Sequence, residues 1–205
     1  LLNLTNQLLD FRKTENKGFK LNPVECSVGS IIRSVYKRFT TLVNQKGIEL
    51  KVEIPEEELL ASVDKEALTK ILSNLFTNAL KYAQTYAYLS LSVDEAGKEF
   101  TIVMSNDGKI IPIEMRENIF RPFVQYRDGK DIVPGTGIGL ALARSLAELH
   151  QGTLTMDQDM ECNRFILSIP IRHQTASDVL EEEHREKPVS VSYTHLRAHE
   201  TAANL

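Results

Sequence analysis

The stretch NLFTNALKY, residues 74–82, decides how the fold of this chain is interpreted. It lies in a predicted helix over residues 64–83, in which apolar residues recur at helical spacing and form a buried stripe. Beside that stripe, at positions i, i+4, i+7 and i+8 of one helix face, stand four polar residues: Asn74, Asn78, Lys81 and Tyr82. Taken alone, this face fits either a solvated surface or a ligand site.

The residue types on this face suit a ligand made of a metal ion and phosphate. The amide oxygen of Asn78 is a hard neutral ligand of the kind that Mg²⁺ accepts, since Mg²⁺ keeps most of its waters and binds few protein groups. Lys81 follows almost one helical turn later and offers a point charge for phosphate. The same pattern occurs on ordinary surface helices, so further stretches must distinguish the two interpretations.

A glycine-rich stretch, GTGIGL at residues 135–140, opens a predicted helix over residues 138–149. Glycines let the backbone approach phosphate closely, and a helix N-terminus presents free N–H groups with a favourable dipole. A Rossmann fingerprint is excluded because its last glycine position holds Leu140, and a Walker A loop because no Gly-Lys-Ser/Thr follows. We expect phosphate contacts from Gly135, Thr136, Gly137, Ile138, Gly139 and Leu140.

A third stretch, Asn106-Asp107-Gly108, directly follows a predicted strand. In this order and spacing, the three stretches resemble the nucleotide site of two-component sensor histidine kinases, over most of residues 1–173. The resemblance implies ATP and Mg²⁺ as ligands, with Asn78 holding the metal. It also implies that Lys81 and Tyr82 face the phosphates, and that Asn74 lines the same site.

The chain departs from that family's Asp-x-Gly-x-Gly adenine pattern at two positions. Asn106 stands where the family has aspartate, and Ile110 replaces the second glycine. An asparagine oxygen can still accept a hydrogen bond from the adenine amino group, so we assign adenine recognition to Asn106, with Asp107 as the alternative and Gly108 in the loop. The other interpretation is an Asn-Asp-Gly turn without a ligand.

Asn74 distinguishes histidine kinases from the related gyrase-type ATPases. Gyrase-type ATPases carry a glutamate four residues before the metal-binding asparagine, as the general base for a water. An amide cannot accept that proton, so the chain is more similar to a kinase that passes phosphate to a protein side chain. A gyrase-type ATPase, and a nucleotide-binding scaffold without transfer activity, remain the alternatives.

Composition fits a soluble globular domain and excludes several classes of function. The chain has 205 residues, 42% hydrophobic, with a net charge of −4, which gives no electrostatic footprint for nucleic acid. Its two cysteines, Cys26 and Cys162, stand alone and indicate neither a disulfide framework nor a zinc site. No apolar run reaches the length of a membrane helix.

The order of elements predicts an α+β fold: a two-layer α/β sandwich in which one mixed sheet is covered by helices on one face. Strands are predicted at 19–27, 48–54, 59–63, 86–93, 99–104, 153–156 and 164–171, with a helix at 30–45. Residues 107–136 are irregular. We divide the chain into the end of a dimerisation helix (1–16), a catalytic ATP-binding domain (17–173), a linker (174–190) and a tail (191–205).

The predicted helix within residues 1–16 has two possible roles. Its apolar residues fit either packing on its own domain or packing in a helical bundle. In the family, the histidine that accepts phosphate lies on a dimerisation hairpin that precedes the ATP-binding domain. All five histidines of this chain follow the predicted helix over residues 64–83. We therefore expect the acceptor outside this chain. The resemblance implies a dimer, a response regulator or receiver domain as partner, and a cytoplasmic position in a parent anchored in the bacterial inner membrane. Residues 191–201 resemble a translated sequencing adapter, so we expect 191–205 to be non-native.

Overall fold

A computed structural model of the chain describes residues 2–15, 18–126, 135–157 and 161–172, which belong to one compact unit, Leu1–His173. The expected linker 174–190 and tail 191–205 lie outside the described residues. The helices are α1 (Leu2–Glu15), α2 (Val28–Lys46), α3 (Lys65–Tyr82), α4 (Ile113–Arg116) and α5 (Gly139–Leu149), with a 3₁₀ turn at Asn118–Phe120. The strands are β1 (Val24–Ser27), β2 (Glu49–Glu53), β3 (Leu60–Val63), β4 (Tyr86–Val93), β5 (Glu99–Asn106), β6 (Thr153–Met156) and β7 (Asn163–Pro170).

The main sheet has five strands in the order β2-β4-β5-β7-β6. The β2–β4 pair is parallel and the other pairs are antiparallel, so the sheet is mixed, as predicted. Strands β4 and β5 form a hairpin whose turn needs Gly97, since its φ of 66° lies in the left-handed region. This confirms the α+β class.

The core lies between one face of this sheet and the helices. Alternate residues of β4, β5 and β7 are buried, as period-two strands with one buried face require. The buried stripe of α3 faces the same core, and α5 packs against both α3 and β6. The core side of α3 consists of Ala67, Leu68, Ile71, Leu72, Leu75, Phe76, Ala79 and Leu80.

Helix α3 begins at a cap that ties three segments together. Asp64 accepts hydrogen bonds from the backbone N–H of Ala67 at 2.9 Å and of Asn22 at 2.8 Å. The fully buried ring of His150 accepts from the Asp64 N–H at 3.1 Å through Nε2, so its Nδ1 donates to the Leu146 carbonyl at 2.8 Å. This cap fixes the start, and therefore the register, of the helix that carries the polar face.

One strand prediction was too long. The expected strand at 19–27 begins only at Val24, and it pairs with β3 in a separate two-stranded sheet. Pro23 cannot donate to a ladder, and the N–H of Asn22 is used by the α3 cap. Phe19 and Leu21 instead pack against the core from a non-repetitive segment.

Helix α1 packs on its own domain in this structure. Phe11 is buried against the core and α1 contacts α5, whereas Leu9 is 53% exposed. The structure thus shows α1 packed on its own domain, and its assignment as the end of a dimerisation helix stays a prediction. The exposed Leu9 side chain is an apolar position of α1 at which another helix could pack.

Candidate functional site

A cavity of about 490 Å³ opens between α3, α5 and the segments that flank residues 127–134. It is lined from α1 and α3 by Gln7, Asn74, Thr77, Asn78, Lys81 and Tyr82. The remaining lining residues are Gln84, Lys109, Ile111, Ile119, Val124, Gln125, Tyr126, Gly135, Thr136, Gly137, Gly139, Leu140, Asn163 and Phe165.

The charge of this cavity favours an anionic ligand. Among its described lining residues, the charged side chains are Lys81 and Lys109, and no carboxylate is present. The described part of the chain also contains no group of three or more His, Cys, Asp or Glu side chains able to hold a metal ion. A hard cation would therefore depend on neutral oxygens and on oxygens of the ligand itself.

The two asparagines of α3 differ in what their side chains do. Asn74 is engaged at both ends: its amide nitrogen donates to the Lys70 carbonyl at 3.0 Å, and its oxygen accepts from Gln7 Nε2 at 3.3 Å. Asn78 lines the cavity, and its amide makes no hydrogen bond within the described residues. Asn78 is therefore the asparagine available to a ligand.

Lys81 is held at the glycine-rich segment. Its ammonium donates to the Tyr82 hydroxyl at 2.9 Å and lies 4.6 Å from the centroid of that ring. A Cβ built on Gly135 would be 2.5 Å from Lys81 Nζ. The absence of a side chain at Gly135 is what lets the charge reach this segment.

The glycine-rich segment is joined to the chain that precedes residues 127–134. The Phe123 N–H donates to the Gly137 carbonyl at 2.9 Å, and Gln125 Nε2 donates to the Gly135 carbonyl at 2.6 Å. Gly137 has a φ of 71°, and a Cβ there would be 2.8 Å from the Phe123 backbone. This approach therefore requires glycine.

Aromatic packing anchors the segment before residues 127–134, which contains the sequence IFRPF at 119–123. Phe120 is 5% exposed and makes an edge-on contact with Phe165, with ring centroids 6.4 Å apart. The Arg144 guanidinium lies over the Phe120 ring, 4.7 Å from its centroid, and forms a two-point ion pair with Glu117. Phe123, by contrast, is 66% exposed.

The structure gives Asp107 a different role from the expected base contact. Its carboxylate accepts hydrogen bonds from the backbone N–H groups of Gln84 and Thr85 and from the Thr85 hydroxyl. Burial alone would raise the pKa of Asp107, but these donors hold it below its usual value. Asp107 therefore joins β5 to the connection between α3 and β4, and it does not line the cavity.

Asn106 and Gly108 lie behind the cavity wall. Asn106 is 1% exposed, and its oxygen accepts from the Gly108 N–H at 3.0 Å. A Cβ on Gly108 would overlap the Tyr82 carbonyl oxygen, so the loop passes the end of α3 only because of this glycine. Neither residue is among those that line the cavity.

Asn163 is a site residue that the sequence reasoning missed. It is 2% exposed, lines the cavity and pairs with Asn106 across the β5–β7 ladder. Its amide donates to the Lys109 carbonyl at 2.9 Å and to the Gly108 carbonyl at 3.2 Å, and its oxygen accepts from the Ile111 N–H at 3.0 Å. The Asn163 side chain therefore holds the loop at residues 108–111 in place.

Nine of the thirteen expected site residues line one cavity: Asn74, Asn78, Lys81, Tyr82, Gly135, Thr136, Gly137, Gly139 and Leu140. Asn106, Asp107, Gly108 and Ile138 do not line it, and Ile138 is fully buried in the core. The sequence did carry one signal for Asn163. The family that the sequence resembles often has Gly-Thr-x-Phe before its last strand, and this chain has Cys162-Asn163-Arg164-Phe165 there. Gln7 and Gln125 carried no such signal.

Comparison with known proteins agrees with this geometry. The family model described as "Histidine kinase-, DNA gyrase B-, and HSP90-like ATPase" matches residues 63–173. Histidine kinase P4 of Formosa agariphila is 28% identical over 176 residues, covering 83% of this chain and 13% of that protein. The chain spans only 10% to 16% of the length of the first three curated relatives.

Solved structures share the fold. The catalytic domain of histidine kinase ThkA has a TM-score of 0.65 and 25% identity, over 75% of this chain and 100% of that one. Full-length ShkA in complex with AMPPNP has a TM-score of 0.74 and 22% identity, over 85% of this chain and 36% of that one. The chain belongs to the histidine kinase-, DNA gyrase B- and HSP90-like ATPase family, of which P4 and ThkA are histidine kinases.

Proposed function

We propose that this chain is the catalytic part of a sensor histidine kinase, which binds Mg·ATP in the cavity and transfers the γ-phosphoryl group to a histidine of a dimerisation domain. The observation that carries the proposal is the joint placement of Asn78, Lys81 and the glycine-rich segment on one cavity. Phosphoryl transfer requires chiefly positioning and charge neutralisation, and this arrangement supplies both.

The phosphate chain of ATP would lie between α3 and the start of α5. Lys81 brings its ammonium to Gly135, and the N-terminus of α5 begins at Gly139 on the same cavity. The helix N-terminus offers backbone donors and a positive dipole end. The triphosphate would thus meet one full charge and a set of fixed dipoles.

The magnesium ion would be held by the Asn78 amide oxygen together with phosphate oxygens. The fit rests on the position of Asn78, which lines the cavity and makes no hydrogen bond within the described residues. Because the described lining holds no carboxylate, the other ligands would be phosphate oxygens and water. Such a site binds metal together with the nucleotide. When bound, Mg²⁺ would neutralise charge on the phosphate oxygens.

The base would occupy the end of the cavity formed by Ile111, Phe165 and Asn163. Apolar side chains there suit the faces of a flat ring. We keep Asn106 as the acceptor for the adenine amino group. Its oxygen accepts from the Gly108 N–H at 3.0 Å and from Asn163 Nδ2 at 3.4 Å, so the base would have to replace the longer of these two bonds. Asn163 would act by holding the loop in place.

Nucleotide hydrolysis of the gyrase type is not favoured by this site. The position of the general base is held by Asn74, whose oxygen accepts from Gln7 and whose nitrogen donates to the Lys70 carbonyl. An amide has no basic lone pair for a water proton. The described lining offers no carboxylate that could replace it.

The acceptor histidine would come from a dimerisation domain outside this chain. His150 cannot serve, because its ring is fully buried and both nitrogens are engaged. The proposal therefore includes a homodimer of the full-length protein and a response regulator or receiver domain that takes the phosphate from histidine. It also includes a cytoplasmic position in a parent protein anchored in the bacterial inner membrane. No helix in the described ranges is long and apolar enough to cross a membrane.

Incubation with γ-labelled ATP tests the proposed transfer. The chain alone should stay unlabelled, and with a dimerisation hairpin from the full-length protein it should label the hairpin histidine with an acid-labile, alkali-stable phosphate. Strong labelling of the chain itself would contradict the proposal. Tight ATP binding without transfer to the hairpin would favour a nucleotide-binding scaffold, and steady phosphate release would favour an ATPase.

A further inference from the structure

The family model begins at residue 63, yet a residue far upstream of it lines the cavity. Gln7 of α1 reaches this cavity, and its amide nitrogen donates to Asn74 Oδ1 at 3.3 Å. The helix that precedes the catalytic domain therefore supplies part of the wall of the nucleotide site.

Two contacts that follow Gln7 on α1 hold the helix in this position. Phe11 is 7% exposed, one turn beyond Gln7. Asp10 forms an ion pair with Lys70 of α3 at 2.8 Å, with side chains 21% and 27% exposed. Partial burial makes this pair stronger than a fully solvated one. Gln7 is thus presented by a docked helix.

The Gln7 amide lies beside the start of α5. The Gln7 amide contacts Asn74 Oδ1, and this oxygen lies close to the start of α5. A Cβ on Gly139 would be 2.9 Å from Asn74 Oδ1. A glutamine amide has two N–H groups. Asn74 accepts one of them, and the described residues show no acceptor for the other. A donor at the edge of a cationic cavity is suited to a phosphate oxygen.

We propose that Gln7 donates a hydrogen bond to the phosphate chain of the bound nucleotide, so that nucleotide binding and the docking of α1 strengthen each other. The inference rests on the proposed function and adds a ligand-contacting residue from outside the matched domain. Coupling between two binding events is reciprocal. Nucleotide must therefore stabilise docked α1 to the same extent that docked α1 raises nucleotide affinity.

Calorimetry on the full chain tests the contact. Gln7→Ala should weaken Mg·ATP binding about tenfold, the usual effect of losing one hydrogen bond to a charged group, and leave adenosine binding unchanged because adenosine carries no phosphate. Asn6→Ala, the exposed neighbour on α1, is the matched control and should change neither. Equal weakening of ATP and adenosine would show a merely structural role and overturn the inference.

A second variant tests the coupling without touching the cavity. Asp10→Asn removes the ion pair to Lys70 and should weaken Mg·ATP binding a few-fold, and in the unmodified chain Mg·ATP should slow hydrogen exchange in residues 5–15. Unchanged affinity in both Gln7→Ala and Asp10→Asn, with no added protection of α1, would overturn the inference while leaving the proposed function intact. No ATP binding by the unmodified chain would overturn both.

Discussion

The ammonium of Lys81 lies against Gly135, so close that a Cβ on Gly135 would be 2.5 Å from Lys81 Nζ. One residue belongs to the end of α3 and the other to the segment that leads into α5, 54 positions later in the sequence. The lack of a side chain at Gly135 therefore determines where the main cation of the cavity stands.

Replacing Gly135 by alanine should weaken ATP binding while leaving the fold intact. The new methyl group would displace the far end of a flexible side chain, which moves at little cost, but the charge would leave the phosphate position. We expect roughly a tenfold loss of affinity, about 1.4 kcal/mol, with a melting temperature within a few degrees of the unmodified chain. Unchanged affinity in calorimetry would show that Lys81 does not contact phosphate.

Gly137→Ala is the contrasting variant. Its Cβ would be 2.8 Å from Phe123 backbone atoms, and the φ of 71° disfavours any other residue. We expect it to separate the glycine-rich segment from Phe123 and to raise hydrogen exchange in residues 119–126. Identical exchange in the two alanine variants would contradict the described packing.

Much of the fold could be predicted because its signals are local. The cap Asp64, the buried stripe of α3 and the alternation in β4 and β5 each follow from residues within one element. The expected strand at 19–27 was too long because the conformation of its first residues depends on a distant partner. The N–H of Asn22 is taken by Asp64, 42 positions away in sequence, and no local pattern records that contact.

The candidate site divides in the same way. Residues on one face of α3 or in one glycine-rich segment were found by spacing, whereas Asn163 and Gln7 enter the cavity through contacts over 52 and 67 positions. Asp107, named as the alternative base contact, does not line the cavity, and Asn-Asp-Gly motifs serve turns and ligands alike. Its three hydrogen bonds to Gln84 and Thr85 appear only when the end of α3 is in place.

Removal of the Asp64 carboxylate should destabilise the chain in a pH-dependent manner. Burial alone would raise the pKa of Asp64, but the N–H groups of Asn22, Ala67 and Glu66 hold it below the usual value. Since the folded pKa is the lower one, the stabilisation is complete above the unfolded pKa of about 3.9 and is lost as pH falls through the folded value. Asp64→Ala should therefore cost about 0.5–2 kcal/mol at pH 7, and much less at pH 2.

Chemical denaturation at several pH values measures this difference. Glu57→Ala, which removes an exposed carboxylate before β3, is the matched control and should show no such dependence. A constant difference between Asp64→Ala and the unmodified chain from pH 7 to pH 2 would contradict the role of the charge.

The stability of the segment that precedes residues 127–134, which is anchored by the Phe120–Phe165 contact, should depend on Arg144. Its guanidinium bonds both oxygens of Glu117, at 2.5 and 3.2 Å, and lies over Phe120. Arg144→Ala should lower the opening free energy of residues 113–126 by roughly 1 kcal/mol and raise their hydrogen exchange. Arg121→Ala, which replaces an exposed arginine of the same segment, should have no effect.

Binding of Mg·ATP should slow hydrogen exchange in residues 113–126. Exchange that is already slow in these residues without nucleotide would contradict the prediction that the nucleotide orders this segment.

Asn163→Ala should loosen the loop that closes the base end of the cavity. The substitution leaves the Ile111 N–H and the Lys109 carbonyl, both in partly buried hydrogen bonds, without their side-chain partner. Each loss should cost about 1 kcal/mol. We expect weaker binding of both adenosine and ATP, by equal factors, since the phosphate end is unchanged. An effect confined to ATP would place Asn163 at the wrong end of the cavity.

The most direct test of the central claim is the affinity of Asn78→Ala for ATP with and without Mg²⁺, measured by calorimetry beside the unmodified chain. Asn78 faces the cavity with its amide unbonded among the described residues, so it should bind the metal that accompanies the nucleotide. We predict that the substitution weakens Mg·ATP binding at least tenfold and leaves metal-free ATP binding nearly unchanged. Equal weakening of both, or of neither, would contradict the account.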